Sequence, residues 1–304
     1  MLRAHIGELA ALTTAVCWAT SSLAFTRAGR RIGALALNVV RLGLALGFSA
    51  ALGLALRGLP LPTDATAEQW GWLSVSGLVG FVFGDLCMFR AFVLLGPRLT
   101  LLLMATAPPM TALLGWFALG ETLTPLDLAG MTLTLAGIAW VLTSRPAVAP
   151  PAGQVPKDMT LRTGIFLGLG GALGQAGGLI LSKRGMAGYD PFAATQIRIL
   201  AGLAGFVALY TAIGFWPRFR AALRDRVALA LAAFGALLGP FVGVSMSLVA
   251  LQHTPAGVAA SIMATTPILV IPLSAWIDRE PIRWPDLAGA LLAIAGVVLL
   301  FQGA

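Results

Sequence analysis

Charged side chains are scarce in this chain of 304 residues, where they occupy 11% of positions against 58% for hydrophobic residues. Soluble domains carry about a quarter charged residues, so this composition could not cover a globular surface with polar groups. The mean hydropathy is +0.90, and the apolar runs reach about 20 residues, the length that crosses the hydrocarbon core of a bilayer. The composition therefore predicts a polytopic helical membrane protein.

Several kinds of catalytic site are also missing from the sequence. It contains two histidines and two cysteines, with no cluster of His, Cys and acidic residues at metal-binding spacing. It has neither the Gly-x-Ser-x-Gly turn of a serine hydrolase nor a phosphate loop ending in Gly-Lys-Ser/Thr. We therefore predict that the chain is not an enzyme, binds no metal or cofactor, and does not use ATP by itself.

The few polar features suggest no other class of partner. A net charge of +8 would suggest nucleic acid in a soluble domain, but here the arginines stand at the ends of apolar runs. At such positions they act as topology signals and contact lipid headgroups, so we predict no nucleic-acid partner. Cys17 and Cys87 lie inside apolar runs and are predicted to be small buried residues rather than a disulfide.

The most informative feature that is present is an internal repeat. The sequence Met-Ala-Thr-Ala-Pro at 104–108 recurs as Met-Ala-Thr-Thr-Pro at 263–267, an offset of 159 residues. The segment Asp-Leu-Ala-Gly at 127–130 recurs at 286–289 with the same offset. Further matches are Gly80 with Gly239 and Gly84 with Gly243, and, at an offset of 157, Arg41 with Arg198 and Trp18 with Gln175. The paired glycines predict that helices 3 and 8 closely approach their neighbours or each other.

Charge, proline and glycine clusters divide the chain into two repeats, 1–144 and 161–304, joined by a linker at 145–160. The predicted spans are 6–26, 34–56, 70–94, 98–119, 126–143, 162–182, 191–213, 227–251, 256–277 and 285–302. Five spans per repeat is an odd number, so the second repeat must enter the membrane from the opposite side. We therefore predict an all-α membrane protein with ten transmembrane helices, arranged as two inverted five-helix repeats around a central cavity.

Basic residues near the span ends are divided unequally between the two sides of this predicted topology. The side of the termini has Arg3, Arg57, Lys183 and Arg184. The opposite side has Arg27, Arg30, Arg31, Arg98, Arg145, Lys157, Arg162, Arg218, Arg220, Arg224, Arg226, Arg279 and Arg283. The positive-inside rule then predicts that both termini lie outside the cytoplasm.

The repeated motifs resemble those of the drug/metabolite transporter superfamily, in particular its ten-helix EamA-type permeases. The matching residues are Trp18, Arg41 and Arg198, Pro108 and Pro267, Gly120-Glu121, and Leu-Ala-Gly at 128–130 and 287–289. The resemblance implies export or exchange of small metabolites, amino acids or drugs through a central cavity without ATP. It also implies cytoplasmic termini with a basic loop between helices 2 and 3. That loop has here only Arg57, balanced by Asp64 and Glu68.

Asp85 is the acidic residue nearest the middle of a predicted span. A charge at the centre of a transmembrane helix costs about 2.5–3.5 kcal/mol on insertion scales, so its presence requires a reason. Its counterpart in the second repeat is Val244, which indicates a specialised task rather than a scaffold role. Phe81 and Met88 share its helical face, and together the three residues predict a receptor for an ammonium group or organic cation.

Two alternatives for Asp85 remain open at this point: an ion pair with Arg41 or Arg90, and an acid that faces a water-filled vestibule without touching substrate. Arg41 and Arg198 occur in both repeats and are for that reason interpreted as scaffold. They would anchor their helices by reaching towards the interface or by binding carbonyl groups at helix ends.

The remaining candidates lie on helices 1, 4, 6, 8 and 9. The polar residues of helix 1 and Gln175 of helix 6 are predicted to form a cavity wall, with interhelical hydrogen bonding as the alternative. Proline frees a backbone carbonyl one turn earlier, so the Thr-x-Pro sequences predict either a packing kink or a ligand contact. The complete predicted substrate-binding set is Thr14, Trp18, Ser21, Phe81, Asp85, Met88, Thr106, Pro108, Gln175, Ser247, Thr265 and Pro267.

These observations predict a secondary transporter that exports small metabolites by alternating access. An exchanger or importer of the same fold, a flippase for a lipid-linked carrier, and an intramembrane scaffold are the alternatives. The expected partners are a small-molecule substrate, the lipid bilayer, a coupling proton or ion, and at most a second copy in a homodimer. The expected location is the cell membrane, which is the inner membrane if the source is a Gram-negative bacterium.

Overall fold

The computed structural model describes residues 5–144, 157–277 and 284–302 of the chain. The predicted linker, apart from residues 157–160, lies outside the described residues, as do Arg3, Arg145, Arg279 and Arg283. All secondary structure in the described ranges is helical, which agrees with the predicted all-α class.

The first half contains six α-helices and one π-helical segment. They are α1 (Ile6–Ile32), α2 (Ala34–Arg57), α3 (Ala67–Gly77), the first π segment (Leu78–Gly84), α4 (Asp85–Met104), α5 (Ala107–Leu119) and α6 (Pro125–Ser144). The second half contains α7 (Lys157–Met186), α8 (Pro191–Ala212), α9 (Trp216–Ala222), α10 (Arg226–Ala236), the second π segment (Leu237–Gly243), α11 (Val244–His253), α12 (Ala256–Met263), α13 (Thr266–Ile277) and α14 (Trp284–Gln302).

Within the described ranges, seven helical stretches are long and apolar enough to cross a membrane, and three shorter apolar helices accompany them. The three shorter helices overlap the predicted spans 98–119, 126–143 and 285–302. The protein is thus a multi-pass helical membrane protein, while the count of ten crossings stays a prediction. Helix α1 runs past the predicted end at residue 26, since basic residues can continue a helix into the headgroup region. Helix α7 likewise begins five residues before the predicted start at 162.

The short helix α9 was not predicted. It begins with a proline in its first turn, where the missing N–H has no intrahelical partner to lose. Its aromatic residues Trp216 and Phe219 pack around the buried ring of Tyr210 at the end of α8, with ring centroids 6.2 and 6.4 Å away. The aromatic cluster covers the connection between α8 and α10.

The predicted turn between spans 3 and 4 falls inside the range Asp85–Met104 of α4. Packing against α7 nevertheless shows that the chain reverses there. Met88 lies beside Gly171 and Leu95 beside Gly164, yet Met104 again lies beside Gly171. A straight helix would carry Met104 about 13 Å past Leu95, away from Gly171. The chain therefore turns back between Leu95 and Met104.

Close contact between α6 and α14 shows the inverted relation of the two repeats. A Cβ atom placed at Gly137 would lie 2.5 Å from the carbonyl oxygen of Gly289, and one placed at Gly296 would lie 2.7 Å from that of Gly130. In the repeat, Gly130 corresponds to Gly289 and Gly137 to Gly296. The contact of Gly137 with Gly289 is therefore equivalent to the contact of Gly296 with Gly130. This reciprocal pattern is that of a two-fold interface between antiparallel helices.

The two π segments occupy equivalent positions and are both packed against the opposite repeat. Cβ atoms placed at Gly178 and Gly174 of α7 would lie 3.1 and 2.6 Å from the Cα atoms of Gly80 and Gly84. In the second half, Gly239 and Gly243 lie against Ser21 and Trp18 of α1. The predicted close approach of helices 3 and 8 to their neighbours is confirmed, and in each case the neighbour belongs to the other repeat.

The close packing of α6 on α14 predicts the effect of adding one methyl group. Gly137→Ala should lower the melting temperature of the detergent-solubilised protein, because its Cβ would also lie 2.5 Å from the backbone nitrogen of Ala293. Gly43→Ala on α2 is the matched control, since nothing lies within 4 Å of a Cβ at Gly43. Alanine there should leave stability unchanged or raise it by about 0.5–1 kcal/mol. Equal melting temperatures for the two variants would contradict the close approach.

The described basic residues keep the asymmetry seen in the sequence. On the side of the termini, Arg57 pairs with Asp64 and Lys183 with Glu121. On the opposite side, Arg30, Arg31, Arg220, Arg224 and Arg226 are exposed, and Asp225 is the acid paired with Arg31.

This asymmetry leads us to expect both termini outside the cytoplasm. A C-terminal alkaline phosphatase fusion should then be active and a C-terminal fluorescent-protein fusion dark in bacterial cells. A fusion pair joined after Ser144, on the other side, should give the opposite result. Bright fluorescence at the C-terminus would show that the usual family topology prevails over the arginine count.

Candidate functional site

Three charged residues meet near the middle of the helical bundle. Arg41 is the eighth residue of α2 and Arg198 the eighth residue of α8, so each lies about 10 Å along its helix from the first residue. Because the two helices enter from opposite sides, the arginines converge on the middle layer from both directions. Arg41 donates a hydrogen bond from Nη2 to the Asp85 carboxylate. Arg198 is near enough to Asp85 to interact with it electrostatically.

Two phenylalanine rings complete the cluster. The guanidinium of Arg198 lies over the ring of Phe81 at 5.1 Å from its centroid, and that of Arg41 lies over Phe25 at 5.7 Å. Cations are attracted to the negative face of an aromatic ring, more strongly where water is excluded. The aromatic and anionic groups that the sequence predicted as a cation receptor therefore hold two arginines of the protein itself.

The first π segment determines where Asp85 lies. It ends at Gly84, and Asp85 is the first residue of α4. π-helical turns are rare and occur mostly near functional sites, because the extra residue per turn redirects the side chains that follow. The second π segment is followed by Val244, so the backbone feature belongs to both repeats while the carboxylate belongs to one.

The predicted residues of α1 lie against the second π segment. Thr14 is buried and donates hydrogen bonds to the carbonyl oxygens of Ala10 at 2.9 Å and Gly243 at 3.1 Å. Ser21 is also buried and donates to the carbonyl of Trp18 at 3.2 Å. Trp18 itself is partly exposed. The hydrogen bond from Thr14 to Gly243 agrees with the alternative of interhelical hydrogen bonding. Trp18 is the member of this group that could form part of a cavity wall.

The Thr-x-Pro sequences form breaks in their helices. Helices α4 and α5 are separated at residues 105–106, and α12 and α13 at 264–265, each just before Pro108 or Pro267. The Thr106 and Thr265 hydroxyls donate to carbonyl oxygens three residues earlier, at 2.6 and 2.7 Å. In the second repeat, Pro267 has no N–H to donate to the carbonyl oxygen of Met263. The hydroxyl of Thr266 donates to that oxygen instead, at 2.7 Å. The described hydroxyls therefore act as caps at these kinks.

The last three predicted residues differ in their surroundings. Met88 and Gln175 are partly exposed and belong to the contact between α4 and α7, one turn from the charged cluster. Ser247 is buried and donates at 2.6 Å to the carbonyl of Val244 on its own helix. Phe81 and Asp85 thus belong to the charged cluster, Met88 and Gln175 to the packing of α7 on the first repeat, and Ser247 to the packed part of α11.

Polar contacts between the repeats also close the side of the termini. Lys183 Nζ lies 2.6 Å from Glu121 Oε1 and donates at 2.8 Å to the carbonyl of Thr254. Glu121 Oε2 accepts a hydrogen bond of 2.7 Å from the backbone N–H of Ala256, at the start of α12. The hydroxyl of Thr254 donates to buried Glu8 at 3.0 Å.

A second group of contacts lies beside the first on the same side. Tyr189 of the second repeat donates at 2.8 Å to Asp64 of the first, and Gln196 donates at 2.7 Å to the carbonyl of Pro60. Burial acts to raise the pKa of Asp64, but hydrogen bonds from Tyr189 and Arg57 outweigh it and hold the pKa below its ordinary value. Asp64 is therefore charged at neutral pH and holds the two loops together.

Comparison with known proteins agrees with this inverted architecture. The EamA-like transporter family matches the chain twice, over residues 5–143 and 162–302. The chain belongs to the EamA-like transporter family. A solved structure titled "Crystal structure of protein" superposes on this EamA-like chain with a TM-score of 0.75 and 19% identity, covering 96% of it and 95% of the other chain. That likeness shows the fold alone. No curated protein matches the chain at a significant level.

The family match confirms the resemblance identified from the repeated motifs. EamA-like membership implies a membrane transporter of the drug/metabolite type, a class that is typically non-enzymatic.

Arg41 and Arg198 were not among the predicted substrate-binding residues, although an ion pair of Arg41 with Asp85 was one of the open alternatives, and the structure shows that pair. Both were interpreted as scaffold residues that reach the interface or bind helix-end carbonyls. The structure corrects this, because the head group of Arg41 pairs with Asp85 and Arg198 is only 4% exposed. The available signal was the presence of an arginine well inside an apolar span in both repeats, where a charge needs a partner.

The ion pair predicts a specific pattern of rescue. Asp85→Asn should destabilise the protein by about 3–5 kcal/mol, because it leaves the Arg41 guanidinium buried and unpaired. The double variant Asp85→Asn/Arg41→Gln should recover most of the loss. The melting temperature and the yield of monodisperse protein in detergent measure both the loss in the single variant and the recovery in the double variant.

Arg90 provides the matched control, since it lies on the same helix as Asp85 but is exposed. Asp85→Asn/Arg90→Gln should remain as unstable as the single variant. Full stability of Asp85→Asn alone would contradict the structural role of the pair.

Proposed function

We propose that this protein is a secondary active transporter that exports small metabolites, such as amino acids or drug-like organic compounds, across the cell membrane by alternating access. The observation that carries the proposal is a charged cluster at mid-span, formed by both inverted repeats. Arg41 and Asp85 come from the first repeat and Arg198 from the second. In inverted-repeat transporters, substrate and coupling-ion sites lie at this depth between the repeats.

The contacts that the first helix of each repeat makes with the other repeat support a rocking mechanism. Helix α1 packs against the second π segment and α7 against the first, so that each repeat contacts the other through its first helix. Rotation of one repeat against the other would then open the site on one side while it closes the other side. The contacts from Lys183 to Glu121 and from Tyr189 to Asp64 are the closed gate in this conformation.

A flippase for a lipid-linked carrier is less well supported. Such a protein needs a laterally open groove with basic residues at headgroup depth. The structure has an external groove of about 460 Å³ between α5 and α6, lined mainly by apolar residues. Its one charged lining residue is the acid Glu121. Glu121 is already paired with Lys183, and none of the described lining residues is basic, so this groove offers no cation to a phosphate-bearing headgroup.

The proposal predicts transport of a soluble metabolite by the purified protein. Proteoliposomes loaded with a mixed pool of unlabelled metabolites should accumulate labelled members of the pool by counterflow, without ATP. Protein-free liposomes are the control. If no metabolite moves while a fluorescent lipid analogue changes leaflet, the flippase alternative replaces this proposal.

Crosslinking across the gate tests the mechanism. Asp64→Cys/Tyr189→Cys, bridged by a short bifunctional methanethiosulfonate reagent, should lose transport because the two repeats can no longer separate on that side. A reducing agent should restore it. Arg57→Cys/Asp64→Cys is the matched control, since both of its residues belong to the first repeat, and bridging should leave transport largely intact. Equal activity of the two bridged variants would contradict alternating access at this gate.

A further inference from the structure

The charged cluster contains one more cation than anion. Arg41 and Arg198 face a single carboxylate, Asp85, and Asp85 is hydrogen-bonded to Arg41. The other acids whose side chains are described lie at helix ends or in loops. They include Glu121 with Lys183 and Asp225 with Arg31. The middle layer of the described bundle therefore has an excess of one positive charge.

The excess charge is found at Arg198. Its Nε and Nη1 atoms are buried, and neither has a hydrogen-bond partner among the described residues. The Nε of Arg41 is in the same situation. A buried donor without a partner carries the full cost of desolvation, and a charged donor costs more than a neutral one. Such groups are rare in native structures and require a ligand, ion or water to explain them.

Two neutral polar residues, one helical turn before the arginines, also lack hydrogen-bond partners among the described residues. Asn38 precedes Arg41 by three residues, and Thr195 precedes Arg198 by three, so that each shares a helix face with its arginine. Both are buried, and neither the Asn38 amide nor the Thr195 hydroxyl has a described partner. The two positions are related by the same offset of 157 residues as the arginines. Both α2 and α8 thus carry buried unpaired polar atoms one turn before the arginine.

We infer that this cluster binds the carboxylate of the transported metabolite, with Arg198 as its main counter-ion. The inference rests on the proposed transport function and adds the chemical class of the substrate. One carboxylate carries one negative charge, the amount that the cluster lacks, and accepts hydrogen bonds from a guanidinium. A ligand that offered the cluster an ammonium group in place of a carboxylate would add a second unpaired cation, and the groups that could receive it, Asp85 and Phe81, already hold arginines.

The accessible part of the cluster is the Arg41–Asp85 pair, while Arg198 lies beneath it and is 4% exposed. The side chains of Arg41 and Asp85 keep 12% and 16% of their surface exposed, although both lie deep within the bundle. Gly80 passes beside Arg198, and a Cβ atom at that position would lie 3.3 Å from Nη2. A larger residue there would press on the guanidinium, so the glycine lets the first π segment pack directly against the proposed counter-ion.

Ligand-induced thermal stabilisation of the purified protein in detergent tests the inference without requiring transport. The probes are the twenty L-amino acids and the short mono- and dicarboxylic acids. Each is paired with its primary amide or methyl ester, and inorganic phosphate is added as a separate anion. At least one acid should raise the melting temperature by about 2 °C or more at saturation, and its amide or ester should have little effect.

Variants locate the binding group. Arg198→Gln should weaken binding of the active acid roughly 10- to 100-fold, as expected for loss of a charged hydrogen-bond donor. Arg198→Lys should retain part of the affinity. The ligand-free Arg198→Gln protein should be as stable as the wild type or more stable, because the variant removes an unpaired buried cation. Arg90→Gln, which removes an exposed arginine, should leave binding unchanged.

Outcomes against the inference are separate from outcomes against transport. Stabilisation by amines or esters, by phosphate without any acid, or by no carboxylate would overturn it, as would full affinity in Arg198→Gln. If counterflow succeeds with a substrate whose carboxylate is dispensable, transport stands and the carboxylate site does not. If carboxylates bind through Arg198 but nothing is transported, the site stands and the transport proposal fails.

Discussion

Contact between the backbones of opposite repeats is the constraint on which the rest of this structure depends. Inside a bilayer, helices gain little from hydrophobic association, since lipid chains are as apolar as leucine. Association must come from close packing, and glycine permits the closest approach. The contacts of α6 with α14, of α7 with the first π segment and of α1 with the second π segment all follow this rule. Together they hold the halves of the chain in an antiparallel relation.

The charged cluster exists because these contacts bring α2, α8 and the junction at Asp85 to the same depth. Each arginine alone would be a costly charge in an apolar helix. Their convergence from opposite sides makes the carboxylate a shared partner and leaves Arg198 without a full complement of hydrogen bonds. The site is thus asymmetric, although the scaffold that builds it is nearly two-fold symmetric.

The gate on the side of the termini uses a different kind of interaction. There, exposed or half-exposed groups such as Tyr189 and Asp64 meet in loops, where water competes for each hydrogen bond. Exposed polar contacts contribute about 0–1 kcal/mol each, so the contact between Tyr189 and Asp64 can open at modest cost. The helix contacts around the π segments bury backbone against backbone and resist separation more strongly.

The sequence by itself determined the membrane class, the duplication, the inverted relation of the halves and the family, because hydropathy and repeat offsets are properties of the chain order. It also identified Asp85, since a single acid inside an apolar run stands out without any structure. It could not determine which arginine pairs with Asp85, or that Phe81 holds Arg198 rather than a substrate cation. The turn before residue 98 was predicted from the sequence, but its presence is shown by the packing of Met104 on Gly171. Those facts depend on distances between helices more than 40 residues apart in the chain, and only the tertiary structure decides them.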